Sequence, residues 1–229
     1  MAGVIAGLRG RLVVSCQAPP GSPLRRPDVL AALAAAAEQG GAGAIRAEGA
    51  EAIAAIRAAV DVPIIGLRKR EVPGSPVYIT PAVEDAVAMR DAGADVVAVD
   101  ATRRERPGGE GPDAFLARLR EALGPDVEIL ADVDDLAAGA AAAEAGASAV
   151  ATTLSGYTDG NGAADGGPDL RLVGALVARV DVPVVAEGRY ASPADVAAAF
   201  AAGAWAVVVG TAITDALALT RRFAAAAPG

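Results

Sequence analysis

Two residues in this chain have the types and settings needed to move a proton at carbon. Lys69 closes the apolar run Pro63-Ile-Ile-Gly-Leu-Arg-Lys69, and Glu187 closes Val184-Val-Ala-Glu187. A lysine and a carboxylate facing one another across a pocket are what removal and return of a proton at a stereocentre would use. To act as a base, Lys69 must give up its charge near neutral pH, which burial or a nearby cation such as Arg46 would promote. Each residue also has a plainer reading. Lys69 could cap a strand and pair with Glu71, and Glu187 could form a salt bridge to Arg189 or Lys69. Other short apolar runs end the same way, in Gln17, Arg46, Asp100, Asp132, and Thr153 with Ser155, while Arg189 follows Glu187. Polar groups buried there without partners would cost several kcal/mol, on the order of 2–7. They are therefore satisfied by each other or held for a ligand. Gly188 and Gly210-Thr211 add backbone N–H groups that could grip a phosphate.

What the chain lacks narrows the chemistry further. It has no histidine, which excludes Ser-His-Asp and Cys-His hydrolysis, His-ligated zinc and imidazole acid–base work. Its single cysteine, Cys16, excludes a disulfide framework and a cysteine-rich metal site. The formal net charge of −8 argues against nucleic acid or an anionic membrane as the main partner, though a few local arginines could still hold a small anion. The apolar stretch before Arg9 and Arg11 is too short for a secretory signal, and one unpaired cysteine agrees with a cytoplasmic location. Val196 to Thr214 carries no charge and approaches bilayer-spanning length, but Gly203 divides it into an alanine-rich half and a valine-rich half. No membrane span is expected.

These residues must be positioned by a repeating scaffold, because one phrase is written three times. It reads Asp91-Ala-Gly-Ala-Asp-Val-Val-Ala-Val-Asp100, Glu144-Ala-Gly-Ala-Ser-Ala-Val-Ala-Thr-Thr153 and Ala201-Ala-Gly-Ala-Trp-Ala-Val-Val-Val-Gly210. Each is the end of an alanine-rich helix, a terminating glycine and a short buried strand. A second phrase, Val60-Asp-Val-Pro and Val180-Asp-Val-Pro, leads from helix to strand with proline at the first strand position. Eight strands are expected, at about 11–17, 43–48, 63–69, 95–101, 128–133, 149–154, 183–188 and 206–211. Helices are expected at 27–39, 50–60, 83–91, 113–123, 135–144, 169–180, 192–202 and 215–227. With 53% apolar residues but only 3% aromatic, the core must be built from small side chains packed closely. This alternation is the arithmetic of a single-domain α/β fold over 1–229, a (β/α)8 TIM barrel, with its site at the C-terminal strand ends. The two proline phrases then stand on opposite sides of the ring. The longest irregular stretch, Leu154 to Pro168, is either an ordinary surface loop or a lid.

Taken together, the strand-end phrases resemble the N-acetylmannosamine-6-phosphate 2-epimerase family. They run as Val14-Ser-Cys-Gln-Ala18, Ala44-Ile-Arg-Ala47, Ile64-Ile-Gly66 leading to Lys69-Arg70, Ile79-Thr-Pro81, and Asp100-Ala-Thr102 with Arg106-Pro107. Ala131-Asp132, Thr152-Thr-Leu-Ser-Gly-Tyr-Thr158, Ala186-Glu-Gly-Arg189 and Val208-Val-Gly210 with Ala212-Ile-Thr214 complete the series. The resemblance implies reversible epimerisation at C2 of an N-acylhexosamine 6-phosphate, with no metal or redox cofactor, in a homodimer. It implies Lys69 as the proton-transferring residue and Glu187 as its assistant. Gln17, Arg46 and Asp132 would bind the sugar, and Arg189 would add a further contact. One position departs from the family pattern. Where the family has an arginine for the phosphate end, this chain has Asp215, followed by Ala216. Arg189 could supply the charge, the substrate could be less anionic, or Asp215 could cap the last helix. Two rivals stay open: a lyase or isomerase using Lys69 as a Schiff base, and a non-catalytic sugar-phosphate-binding barrel.

Overall fold

The computed structural model describes residues 3–158 and 166–228. Eight parallel strands close into a ring in chain order. They are β1 (Arg11–Cys16), β2 (Ala44–Glu48), β3 (Ile64–Leu67), β4 (Val96–Asp100), β5 (Glu128–Asp132), β6 (Ala149–Ala151), β7 (Val184–Glu187) and β8 (Ala206–Val209). Closure is made by β1 against β8, with Val13 beside Val208. The helices are α1 (Val4–Gly7), α2 (Pro27–Gln39), α3 (Ala50–Arg57), α4 (Val83–Asp91), α5 (Pro112–Leu123), α6 (Leu136–Glu144), α7 (Leu170–Arg179), α8 (Pro193–Ala201), α9 (Thr211–Thr214) and α10 (Ala216–Ala224). The chain is thus a (β/α)8 barrel, as the repeats imply.

Alternation along each strand sorts side chains between two cores. Val13, Ala44, Ile65, Val96, Leu130, Ala149, Val185 and Ala206, one from each strand, belong to a buried group inside the ring. Their strand neighbours Ile45, Ile64, Val97, Ile129, Val150 and Val207 pack outward with Ile53, Met89, Phe115, Leu119 and Leu176 from the helices. Small residues bring the layers close. A Cβ added to Gly66 would lie 2.6 Å from Ala94 Cβ and 2.9 Å from the Ile53 methyl. Pro63 and Pro183 lie just before β3 and β7, where each carbonyl still accepts a ladder bond, from Ile45 and Val150, and the missing N–H falls outside the strand.

Three differences from the sequence reading concern what closes the ends. Helix α1 was not expected, since four residues are too few to show a period. Its Ile5 joins the inner core, its Ile5 carbonyl accepts from Trp205 Nε1 at 2.8 Å, and its Ile5 N–H donates to Glu128 Oε2 at 2.8 Å. Trp205 and Glu128 lie at the N-terminal ends of β8 and β5, so α1 plugs that end of the barrel. Helix α9 was also missed, and the charge-free stretch 196–214 is divided among α8, β8 and α9. No helix among the described residues is long and apolar enough to cross a membrane. Third, several strands are shorter than expected. β3 stops at Leu67 because Lys69 leaves the ladder to pair antiparallel with Ile79. The lid reading of the loop 154–168 rests on a segment of which 159–165 lie outside the described residues.

Candidate active site

The C-terminal mouth is polar because the last inward position of several strands is charged. β2 carries Arg46, β5 carries Asp132 and β7 carries Glu187, all directed at one point. Arg46 grips Asp132 with both guanidinium nitrogens, Nη1 to Oδ1 at 3.1 Å and Nη2 to Oδ2 at 2.6 Å. Its Nη1 also lies 2.9 Å from Glu187 Oε2. Thr153, just past β6, sets its hydroxyl 2.6 Å from Asp132 Oδ1 and 3.0 Å from Glu187 Oε2. Arg46 and Asp132 are fully buried, so this is a desolvated pair whose geometry is fixed by two parallel hydrogen bonds. Burial alone would lower the Arg46 pKa, but Asp132 and then Glu187 reverse this and raise it, so the guanidinium stays charged. Its Nε is buried without a hydrogen-bond partner among the described residues.

Glu187 has a carboxyl pKa raised by burial, and Asp132 pushes it the same way, against the opposing pull of Arg46, Thr153 and Lys69. The salt-bridge partner expected for it, Arg189 or Lys69, is instead Arg46. Its backbone is pinned by Thr152, whose hydroxyl donates to the Glu187 carbonyl at 2.9 Å and accepts from the Glu187 N–H at 3.0 Å. The carboxyl is thereby held at a set height on β7.

Lys69 is placed by a short hairpin that rises beyond β3. Arg70 N–H donates to the Tyr78 carbonyl at 3.0 Å, Thr80 Oγ1 donates to the Ala98 carbonyl at 2.6 Å, and Asp100 N–H donates to the Ile79 carbonyl at 3.0 Å. The hairpin is therefore laced to both β3 and β4, and Thr80 takes a positive φ of 46° to make the turn back. The Lys69 ammonium has no ion-pair partner within reach among the described residues, Glu71 included. Its pKa is lowered, first by the wall of protein around it and then by the charge of Arg46, while Glu187, Glu48 and Asp132 oppose the shift. The residue is also exposed to solvent at the rim of the mouth. Gln17 lines the same cleft of about 370 Å³ as Lys69, Arg25, Glu48 and Arg68. Its amide donates to Ser15 Oγ at 2.9 Å, while its Oε1 is buried without a partner among the described residues. A hollow of about 460 Å³ between α6 and α7 lies on the outer face, lined by alanines and by the Glu144–Arg179 pair, and has no part in this chemistry.

The remaining expected residues divide. Arg189 turns to the loop after β6, donating from Nε to the Gly167 carbonyl at 2.7 Å and from Nη1 to the Ser155 carbonyl at 2.6 Å. Gly188 precedes it at φ 108°, a conformation that suits glycine, and sends the chain away from the ladder. Gly210 packs against Ser15, where an added Cβ would lie 3.2 Å from the serine Cβ, and it begins α9 followed by Thr211. Asp215 accepts from the Ala218 N–H at 2.9 Å and caps α10, as the capping reading anticipates. Asp100 is committed to its own loop, accepting from Thr102 and from Arg104 Nη2 at 2.6 Å. Sequence reasoning missed Thr153 as the bridge between two carboxylates. Among the described residues no cluster of acidic or cysteine side chains is placed to hold a metal ion.

Such a barrel, with a lysine, a carboxylate and a buried guanidinium gathered at the C-terminal strand ends, has the architecture of the (β/α)8 enzymes. Residues 30–228 match the NanE family, described as "Putative N-acetylmannosamine-6-phosphate epimerase", and the chain belongs to that family. A relative from Caldanaerobacter subterraneus subsp. tengcongensis bearing the corresponding 2-epimerase name is 45% identical over 220 residues, 96% of this chain and 92% of that protein. Another of that name, from Thermosynechococcus vestitus, is 50% identical over 207 residues, 90% of this chain and 89% of that protein. Among solved structures, the N-acetylmannosamine-6-phosphate 2-epimerase from Clostridium perfringens superposes with a TM-score of 0.92 at 35% identity, covering 99% of this chain and 97% of that one. Thiamine phosphate pyrophosphorylase from Pyrococcus furiosus, at 19% identity and a TM-score of 0.62, shares the fold alone.

Proposed function

We propose that the protein interconverts N-acetylmannosamine 6-phosphate and N-acetylglucosamine 6-phosphate by taking the C2 proton and returning it to the other face. The observation that carries this reading is the placement of Lys69 just beyond β3 and of Glu187 at the end of β7, strands four apart in the ring, with the Arg46 guanidinium directed into the same mouth. In the open-chain sugar, C2 lies beside the C1 carbonyl. Removing its proton moves the electron pair onto the C1 oxygen, and a fixed, desolvated cation stabilises that charge as it forms. Arg46 is such a cation, and Asp132 with Thr153 holds it in place. Lys69 takes the proton as the free amine, or returns it as the ammonium, and Glu187 serves the opposite direction or orients the sugar. Gln17, with its unpartnered buried oxygen, is a sugar-binding residue. Asp132 acts on the sugar through Arg46. The cycle consumes no electrons and calls for no cofactor.

For the phosphate end, the reading uses Gly188, Gly210 and Thr211 at the β7 and β8 ends, the customary anion position of such barrels. Arg189 spends two nitrogens on the β6 loop and contributes through that loop's shape. Two broader expectations belong to the same proposal. The protein acts in the cytoplasm. It works as a homodimer, supported by the exposed apolar residues Ile213, Leu217 and Phe223 on α9 and α10.

The deciding experiment is proton NMR in D₂O with N-acetylmannosamine 6-phosphate, run beside the unphosphorylated sugar. Epimer carrying deuterium at C2 from the phosphate alone is the expected result. Turnover of the neutral sugar would say that Asp215 moved the specificity. Absence of exchange with both would sink the assigned reaction, and borohydride trapping of substrate on Lys69 would favour a Schiff-base enzyme instead.

A further inference from the structure

Aromatic residues are scarce in this chain, yet all three tyrosines fall on loops at the C-terminal strand ends: Tyr78 after β3, Tyr157 after β6 and Tyr190 after β7. Tyr190 is buried in the core between the ring and its helices, and Tyr157 is exposed. Tyr78 is different from both. It is half-buried and packs against the group of side chains that fills the inside of the barrel. Its backbone carbonyl is fixed by the Arg70 N–H at 3.0 Å, and its neighbour Ile79 pairs with Lys69 across the hairpin and is held to β4 by the Asp100 N–H. Tyr78 therefore stands one residue from the partner of Lys69, on the rigid side of the mouth.

The phenol is surrounded by the site's charges. Asp132, Asp100, Arg104 and Arg46 all lie within electrostatic reach of it. Burial, then the two carboxylates, raise its pKa, so the hydroxyl keeps its proton at working pH. Among the described residues that hydroxyl makes no hydrogen bond, although carboxylates and carbonyls crowd the mouth. The backbone on both sides of the ring is held, the hydroxyl is not spent on the protein's own polar groups, and it is free to donate to a molecule bound in the mouth.

We propose that Tyr78 is a substrate contact, its hydroxyl donating a hydrogen bond to an oxygen of the sugar bound beside the Arg46–Asp132 pair. This rests on the reading of the mouth as an amino-sugar phosphate site, and it adds a residue on the Lys69 side that the strand-end pattern does not contain. The ring covers the reacting carbon from the rim, and the hydroxyl selects an oxygen-bearing substituent there.

The test is Tyr78→Phe, which keeps the ring and removes only the donor. Titration calorimetry with N-acetylglucosamine 6-phosphate reads binding directly, and the NMR assay reads KM and kcat alongside. The expected result is a Kd and a KM raised by about three- to tenfold, the weight of one neutral hydrogen bond, with the thermal midpoint unchanged. Equal Kd for the variant and the parent overturns the inference while leaving the epimerase reading intact. A lowered midpoint with equal Kd does the same and assigns the hydroxyl to the fold. A parent protein that neither binds nor turns over the sugar phosphate overturns the epimerase reading and the inference with it.

Discussion

Arg46 and Lys69 are both cations of the mouth, but they differ in how they are held, and the difference predicts opposite mutational signatures. Arg46 is 1% exposed and neutralises Asp132 and Glu187. Arg46→Met leaves two buried carboxylates facing each other, and a loss of about 3–5 kcal/mol in urea unfolding is expected. Lys69 is exposed and unpaired, so Lys69→Met should change stability by less than about 0.5 kcal/mol while lowering kcat/KM roughly 10²- to 10⁴-fold. Because the protein around it and the charge of Arg46 lower the Lys69 pKa, the free amine forms at lower pH than in an ordinary lysine. The rise of kcat/KM with pH should therefore level off below the usual lysine range. Glu187 has the opposite sign. Its folded carboxyl binds a proton more tightly than the unfolded one, so its contribution to stability is present below the ordinary carboxylate range and lost as pH rises through the raised folded value. Denaturation across that window should show a shallower decline with pH for Glu187→Gln than for the parent.

At the scale of elements, much was legible because helix ends and strand starts are written locally. The limits of α2 and α4 match the periodic runs, and in the structure Ser192 with Asp195 makes a reciprocal cap at the start of α8. Asp135, Asp169 and Asp215 cap α6, α7 and α10, each side chain accepting one backbone N–H of the first turn. Strand ends were less legible. The apolar run to Lys69 looks continuous in sequence, but the ladder stops at Leu67, because the chain beyond it bonds to its own return segment. Close layering also sets a constraint that glycine alone hints at. Gly66→Ala would drive a methyl onto Ala94 and Ile53, and a loss of about 1–3 kcal/mol is expected in thermal or urea unfolding.

At the scale of the molecule, α10 is the element least explained by a single barrel. None of its residues is fully buried, and Phe223 is 77% exposed. This is the face that the proposed homodimer would cover. Light scattering on the parent should give twice the chain mass at micromolar concentration, and Phe223→Glu should shift it toward the single chain. A monomeric parent would remove the dimer from the proposal without touching the site. The plug at the opposite end, α1 on Trp205 and Glu128, is likewise a property of the closed ring.

The amino-acid sequence by itself determined the number of strands, their order of alternation with helices, and the polar residues at or just beyond most of their ends. Those follow from hydrophobic period, glycine stops and caps, all of which act over a few neighbouring residues. Which strand ends meet was decided only by the tertiary structure. Arg46 and Asp132 are separated by 86 positions, and nothing in either phrase distinguishes that pair from Arg46 with Asp100 or Glu187 with Arg189. Closure of the ring puts β2, β5 and β7 around one point. Burial then makes an unpaired charge too costly, and the guanidinium takes the carboxylates that the geometry brings within reach.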